Sequence, residues 1–418
     1  MLSKILHKLL AWFARMAIGK YKPIIIGVTG SVGKSSTKEA IYAVLKNYFQ
    51  VRRNLANYNN EIGLPLTILG RQSPEKSLTG WLRVFWMAIG TVWFPERSYP
   101  KILILEMAAD HPGDIKYLIN IAPPQIGILT AIGPTHLEFF KTVENVAREK
   151  ARVISFLPPT GWAILNADDE EVMALKNRTE AKILTYGFSE KADIRALEPE
   201  LEQEIENNSL KINGLRFKIS YSGSIVPVFL ANVLTKAQIY SALAAVAVGI
   251  AFDLNLIEIA ESLVNCKTLS SRMKPIAGVK NSLIIDDSYN SSPLAAEMAL
   301  ETLSELKKSP SSKKWAVLGD MLELGEMSEE AHLDLGKKVA RAGIDCLVAV
   351  GKWAELVAKS AVKNGLDKEN IEVYPDSITA AKALAEKIGE GDIVLIKGSH
   401  AVHLEKIVKC LIKSKPSL

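Results

Sequence analysis

The sequence predicts an α/β protein built from two units in which buried parallel strands alternate with helices. Three observations carry this. Compact apolar runs of three to five residues, bounded by Gly, Pro, Asn or charged residues, recur from Pro23 onward, as strands buried on both faces do. Helical stretches separate them. The alternation then resets near Thr268, and a second series starts. At 418 residues the chain has room for two or three domains. Its 48% hydrophobic and 23% charged content is that of an ordinary globular protein, which excludes disordered and disulfide-stapled classes.

Residues 1–22 come first. Leu2, Ile5, Leu6, Leu9, Phe13, Met16 and Ala17 recur at three- and four-residue spacing, with Lys4, Lys8, Ala11 and Arg15 opposite, so an amphipathic helix is expected. Arg15 interrupts the apolar region and no small-residue cleavage site follows, which argues against a secretory signal. Residues 1–23 hold five basic side chains and no acid; the whole chain has 51 basic and 46 acidic residues. The other 395 residues therefore balance at 46 against 46, and no basic stripe of the kind that grips nucleic acid is visible. Trp81 to Phe94 is a second apolar run, with three Trp and Arg83, too short to cross a bilayer comfortably. Residues 1–20 and 81–94 have three readings: packing on the domain, contact with a membrane surface, or contact with a protein such as a second copy.

Residues 23–267 form the expected central domain. Ile24–Val28, Ile102–Leu105, Ile126–Thr130 and Ala163–Leu165 read as buried strands, residues 190–230 as an antiparallel hairpin insert, and Lys236–Phe252 as an Ala-rich helix. Residues 268–418 continue with strands Leu283–Asp286, Trp315–Leu318, Cys346–Val350 and Ile393–Lys397 between helices, a doubly wound pattern. Cys266, Cys346 and Cys410 are far apart with no C-x-x-C pair, which suits a reducing cytosol and gives no sign of a structural zinc.

The strongest local signal is Gly27-Val28-Thr29-Gly30-Ser31-Val32-Gly33-Lys34-Ser35-Ser36, between a strand and a helix. Glycines let backbone N–H groups close on phosphate oxygens, and the helix amino terminus adds a favourable dipole. Lys34 is placed to bridge the outer phosphates and Ser35 to offer its hydroxyl to Mg²⁺. Val28 stands where the strict pattern has its first Gly. The central unit thus reads as a P-loop ATPase domain with a mostly parallel sheet, followed by a Rossmann-like domain. Glu106 ends the strand Ile102–Leu105 at the ligand-binding edge, either a Mg²⁺ ligand or a cap or ion-pair residue. His136 follows the next strand; lone histidines are usually structural, but its alignment with Glu106 favours a ligand.

In series, these segments resemble the Mur ligase family, ATP-dependent enzymes that join an amino acid or peptide to a carboxylate in cell-wall synthesis. The branch that adds D-alanyl-D-alanine is most similar. The resemblance rests on Thr29 to Glu39, Asn57-Tyr58-Asn59-Asn60-Glu61-Ile62-Gly63-Leu64-Pro65, His136-Leu137-Glu138 and Asp286 to Pro293. Val317 to Gly325 and Lys397-Gly398-Ser399 complete it.

The resemblance implies that Lys34 with Thr29, Gly30, Ser31, Gly33 and Ser36 holds the ATP phosphates, and that Ser35 and Glu106 hold one magnesium. His136 serves a second, together with Lys150 if that lysine carries a carbamate; a plain surface lysine is the other reading. It gives Arg272 an ATP contact and Asp287 and Asn290 the ribose and adenine. Asn57, Asn59 and Asn60 fall near the substrate or simply form a turn. Asp320, Lys397, Ser399 and His400 fall on substrate-side motifs. The resemblance also implies cell-wall precursor and dipeptide substrates and a cytoplasmic setting, with or without a peripheral hold on the inner membrane face. Two other readings stay open: the same chemistry on another acceptor or amine, and a non-catalytic ATP-binding subunit. Three departures stand out. About 23 residues precede the first strand, too few for the family's amino-terminal UDP-binding domain. Gln238 replaces an asparagine, and His400 replaces an arginine that stays charged where histidine is only partly so.

Overall fold

The computed structural model describes residues 2–55, 58–266 and 268–412, with side chains from Ile5 onward. Among these residues the chain forms a nine-stranded and a six-stranded sheet. The first contains β1 (Ile24–Thr29), β2 (Val51–Arg53), β3 (Ile102–Glu106), β4 (Ile126–Leu129), β5 (Trp162–Asn166) and β6 (Lys182–Gly187). It continues with β7 (Ile194–Glu206), β8 (Ser209–Tyr221) and β9 (Ser224–Ala231), in the order β2-β3-β1-β4-β5-β6-β7-β8-β9. The pairs from β2 to β7 are parallel, while β7-β8 and β8-β9 are antiparallel. Residues 190–230 are antiparallel as expected, but they form three strands joined to the main sheet rather than a separate hairpin. Tyr186 and Gly187 pair with Ile194 and Arg195, so the three long strands extend the same sheet.

The second sheet holds β10 (Lys274–Ala277), β11 (Leu283–Asp287), β12 (Lys314–Gly319), β13 (Cys346–Val350), β14 (Ile371–Tyr374) and β15 (Ile393–Lys397). Its order is β10-β11-β15-β12-β13-β14, parallel except at β10.

Alternation along β1 shows why the sheet is covered on both faces. Ile26 and Val28 join a core with Ile41 and Val44 of helix α2 (Lys34–Leu45) and the Ala-rich helix Ala237–Ala251. Ile25 joins Leu103 and Leu105 on the other face, under helix α1 (Leu2–Tyr21), helix α3 (Gly63–Leu69) and helix α4 (Leu78–Trp93). Apolar side chains on both sides of each strand produce the continuous runs seen in the sequence.

The α1 helix differs from expectation in its facing. Ala11, expected on the polar side, is buried, while Ile5, Leu9 and Met16 point outward. Leu10, Phe13, Ala14 and Ala17 supply the core contacts instead. Lys20 Nζ donates to the carbonyls of Thr91 and Phe94, and Tyr21 stacks on Tyr99 at 4.0 Å, fixing α1 to α4 and to the segment that leads into β3. Among the described residues no helix is long and apolar enough to cross a membrane.

Candidate active site at the sheet edge

The loop between β1 and α2 is shaped by its glycines and pinned by the segment after β4. Gly30 sits at φ 152°, and a Cβ there would collide with the Thr130 hydroxyl. Only glycine lets the loop pass this close. Ser31 N donates to Ala131 O at 2.6 Å, Ser31 Oγ to Gly133 O at 3.0 Å, and Thr130 Oγ1 to Val32 O at 2.5 Å. Thr29 Oγ1 turns inward to Met107 O, so its hydroxyl holds the loop base. Ser36, in the first turn of α2, is half-buried.

Lys34 folds back over this loop, its Nζ 2.7 Å from Gly30 O and 3.3 Å from Ser31 O. The side chain as a whole is half-buried, but the ammonium lies inside the loop, and burial lowers its pKa against the pull of Glu106. Ser35 Oγ donates to Glu106 Oε2 at 2.9 Å, and Asn59 Nδ2 donates to Glu106 Oε1 at 3.0 Å. Lys38 Nζ stands 3.7 Å from the same carboxylate. Burial alone would raise the Glu106 pKa. Lys34, Lys38, the Asn59 amide and Arg272 outweigh it and hold the group ionised below the usual carboxylate range.

Lys150, at the carboxyl end of the helix Val143–Lys150, is 3% exposed, and its ammonium makes no hydrogen bond or ion pair among the described residues. Burial, reinforced by the charge of Lys34, pushes its pKa down to about 7; Asp110 and Glu149 pull the other way. Lys34, Glu106, Asp110, Arg272 and Lys150 therefore share one electrostatic field.

His136 adopts a left-handed backbone (φ 53°) and bridges the domains. Its Nδ1 lies 2.6 Å from Glu323 Oε2 and its Nε2 3.5 Å from Asp110 Oδ1. The Nδ1 contact is close but does not have the geometry of a directed hydrogen bond. Glu138 N also donates to Glu323 O, so the loop after β12 rests on the His136 turn.

In the second domain the proposed residues divide. Arg272 lies over the Tyr289 ring at 4.2 Å and turns its charge toward Lys34 and Glu106. Lys397 Nζ binds Asp287 Oδ2 at 2.6 Å and Asn290 O at 3.0 Å. Burial pushes Asp287 up, against the opposing pull of Lys397. Asp320 accepts from the backbone of Lys352 and Trp353, and Ser399 Oγ accepts from Leu322 N. Those two side chains tie loops together. His400 is exposed, edge-on to Tyr289 at 6.2 Å. Asn60 Oδ1 caps Ile62 and Gly63, the turn-forming role; Asn57 lies outside the described residues.

A cavity of about 510 Å³ opens beside the loop. Gly33 and Thr37 line one end, Asn166, Phe188 and Tyr240 one wall, and Met298 of the second domain the other. Neither Asp287 nor Asn290 lines it. Phe188 meets Tyr240 edge-on at 5.1 Å, and Tyr240 donates to Asp168 at 3.0 Å, giving a mostly apolar wall with aromatic rings against which a planar base can pack. Sequence reasoning missed these wall residues. Asn166-Ala167-Asp168-Asp169 closes β5 as Glu106 closes β3, and that was the signal available.

Known proteins match this arrangement. The Mur ligase middle domain matches residues 28–77 and 93–249, and the Mur ligase glutamate ligase domain matches residues 271–400. The UDP-N-acetylmuramoyl-tripeptide–D-alanyl-D-alanine ligase of Bacillus subtilis is 31% identical over 390 residues, 93% of this chain and 76% of that protein. The enzyme of the same name from Escherichia coli is 28% identical over 389 residues, 93% of this chain and 76% of that protein. The MurF ligase of Thermotoga maritima, solved in complex with ADP, superposes with a TM-score of 0.78 at 29% identity. That superposition covers 97% of this chain and 83% of the other.

Proposed function

The chain belongs to the Mur ligase family and is an ATP-dependent amide ligase, and we propose that it joins D-alanyl-D-alanine to the tripeptide carboxylate of a peptidoglycan precursor. The observation that carries this reading is the meeting of Lys34, Ser35 and Glu106 at one sheet edge, beside a cavity of about 510 Å³ with an aromatic wall. A carboxylate oxygen of the acceptor attacks the γ-phosphorus. The bridging P–O bond breaks, ADP leaves, and an acyl phosphate remains. The amine then attacks the acyl carbon, loses a proton, and expels phosphate together with the acceptor's own oxygen.

Each side chain has work that follows from its surroundings. Among the described residues the Lys34 ammonium bonds only carbonyls of its own loop, weak partners that a polyphosphate displaces, and the added negative charge would pull its lowered pKa back up. Glu106 and Ser35 are adjacent hard oxygen donors; with one carboxylate and one hydroxyl they fit Mg²⁺, which takes few protein ligands beside phosphates and water. Bound there, the metal would neutralise charge on the transferring phosphoryl group. Arg272 reaches the same edge from the second domain, so closure of the domains positions it on the nucleotide.

Lys150 is the candidate for carbamylation. An amine with a pKa near 7 is largely unprotonated above neutrality, so its nitrogen can add to CO₂, forming an N–C bond and releasing a proton. The product would be a buried anion where a neutral amine stood, a second oxygen site for a divalent ion that His136 would complete. In the described residues no three His, Cys, Asp or Glu side chains are grouped to hold a metal without it.

ADP release with UDP-N-acetylmuramoyl-tripeptide and D-alanyl-D-alanine tests the substrate reading. Release that requires both is expected. Release that appears only with a different amine or acceptor overturns it.

A further inference from the structure

Helices α1 and α4 each carry a second apolar face that the domain core does not use. On α1, Ile5, Leu9, Trp12 and Met16 point outward at spacings of four, three and four, while the core takes Leu10, Phe13, Ala14 and Ala17. A surface helix normally turns polar side chains to water on that side. On α4, Val84, Ala88 and Val92 point in, and Leu78, Leu82, Trp86 and Trp93 point out. Leu82 is 72% and Trp86 76% exposed, far beyond what isolated surface residues need. The Trp12 and Trp93 rings lie 6.0 Å apart, so the two stripes form one continuous face. Contiguous exposed apolar surface of this kind marks a binding face.

The platform is preorganised. Lys20 and the Tyr21 hydroxyl both bond the end of α4, and Phe13 packs against Phe85 and Trp93 beneath the exposed rings. Residues 1–27 and 78–92 also lie outside the stretch matched by the family's middle domain.

Charge selects the occupant. Neither helix contains Asp or Glu, and their described side chains include the cations Lys8, Arg15, Lys20 and Arg83. A symmetric contact with a second copy would set these cations against their own equivalents. Anionic lipid headgroups neutralise them, and exposed indoles favour the headgroup level of a bilayer. We propose that α1 and α4 together lie in the interfacial layer of an anionic membrane, with Trp12, Trp86 and Trp93 at headgroup depth and the catalytic domains held on the surface. The residues involved are distinct from the nucleotide site, so vesicle binding and ligase activity are separate readouts.

Co-sedimentation of the full chain with phosphatidylcholine vesicles, with and without roughly one-third phosphatidylglycerol, tests it. Pelleting is expected with the anionic vesicles, and at least about ten-fold weaker binding for L82Q/W86Q and, independently, for I5Q/L9Q. K8Q/R83Q should remove the preference for anionic vesicles. All three double variants should keep the parent's ATP turnover in vesicle-free buffer, which certifies their folding. Absence of pelleting overturns the proposal, as does parent-like binding by both apolar variants. A vesicle-free dimer that L82Q/W86Q dissociates also overturns it, by showing that a second copy covers the face.

Discussion

The carboxyl edges of the two parallel sheets each hold a buried acid at a strand end, and the two acids do different things. Glu106, closing β3, faces a hydroxyl, an amide and two ammonium groups, all of them side chains that can change partners. Asp320, just after β12, faces the backbone N–H groups of Lys352 and Trp353 at 2.8 and 2.9 Å, which cannot. The first arrangement stores charge where a ligand can recruit it; the second fastens one loop to another. Position at a strand end marks where chemistry is possible. The mobility of the partners decides whether it occurs there.

Substitutions on the two sides should separate cleanly. Lys34→Ala should lower ligase turnover by at least about 10³-fold, with little change in melting temperature. Activity within ten-fold of the parent would remove the phosphate-site assignment. Glu106→Gln keeps the shape and removes the charge, and a loss of about 10²-fold is expected, partly recovered at raised Mg²⁺. An unchanged Mg²⁺ dependence would assign Glu106 to structure, like Asp320.

Lys150→Met sharpens the contrast, because it should stop turnover yet strengthen the fold. The folded-state pKa of about 7 lies below the ordinary lysine value of 10.5, so the unfolded chain binds more protons between those values. Burying this lysine therefore weakens the fold fully below pH 7, and the loss fades as pH rises toward 10. Urea melts in CO₂-free buffer should show Lys150→Met about 1–2 kcal/mol more stable than the parent at pH 6.5. The difference should shrink by pH 9.5; a constant one contradicts the assignment. Asp320→Ala should behave in the opposite way, costing about 1–3 kcal/mol by leaving two amides unpaired, with a smaller effect on turnover. The smallest effect belongs to His400→Arg, expected to lower the KM for the dipeptide a few-fold through a permanent charge near Tyr289.

The same comparison explains what was readable in the sequence. Strands β1, β3, β4 and β15 were legible because both faces are buried, so they run apolar or glycine up to the Thr29, Glu106 and Lys397 that close three of them. The short strand β2, Val51-Arg52-Arg53, was not, since its two arginines lie half-buried over Tyr99 and against Glu39. Edge strand β14 alternates too weakly to stand out. In the site, Lys34 and Ser35 share one short motif, and Glu106 ends an obvious strand. The cavity wall of Asn166, Phe188 and Tyr240 comes from three elements spread over 75 positions, and no local pattern joins them. Glu323 reaches His136 from the other domain, which only folding reveals. The outward face of α1 escaped for a different reason: apolar residues surround most of the helix, and periodicity alone cannot say which of two apolar faces meets the core.

The acyl-phosphate route is tested most directly by oxygen transfer. With ¹⁸O in the acceptor carboxylate, each turnover should deliver one labelled oxygen to inorganic phosphate, measured by mass spectrometry. Unlabelled phosphate in a reaction that still forms the amide would contradict activation of the acid at this edge.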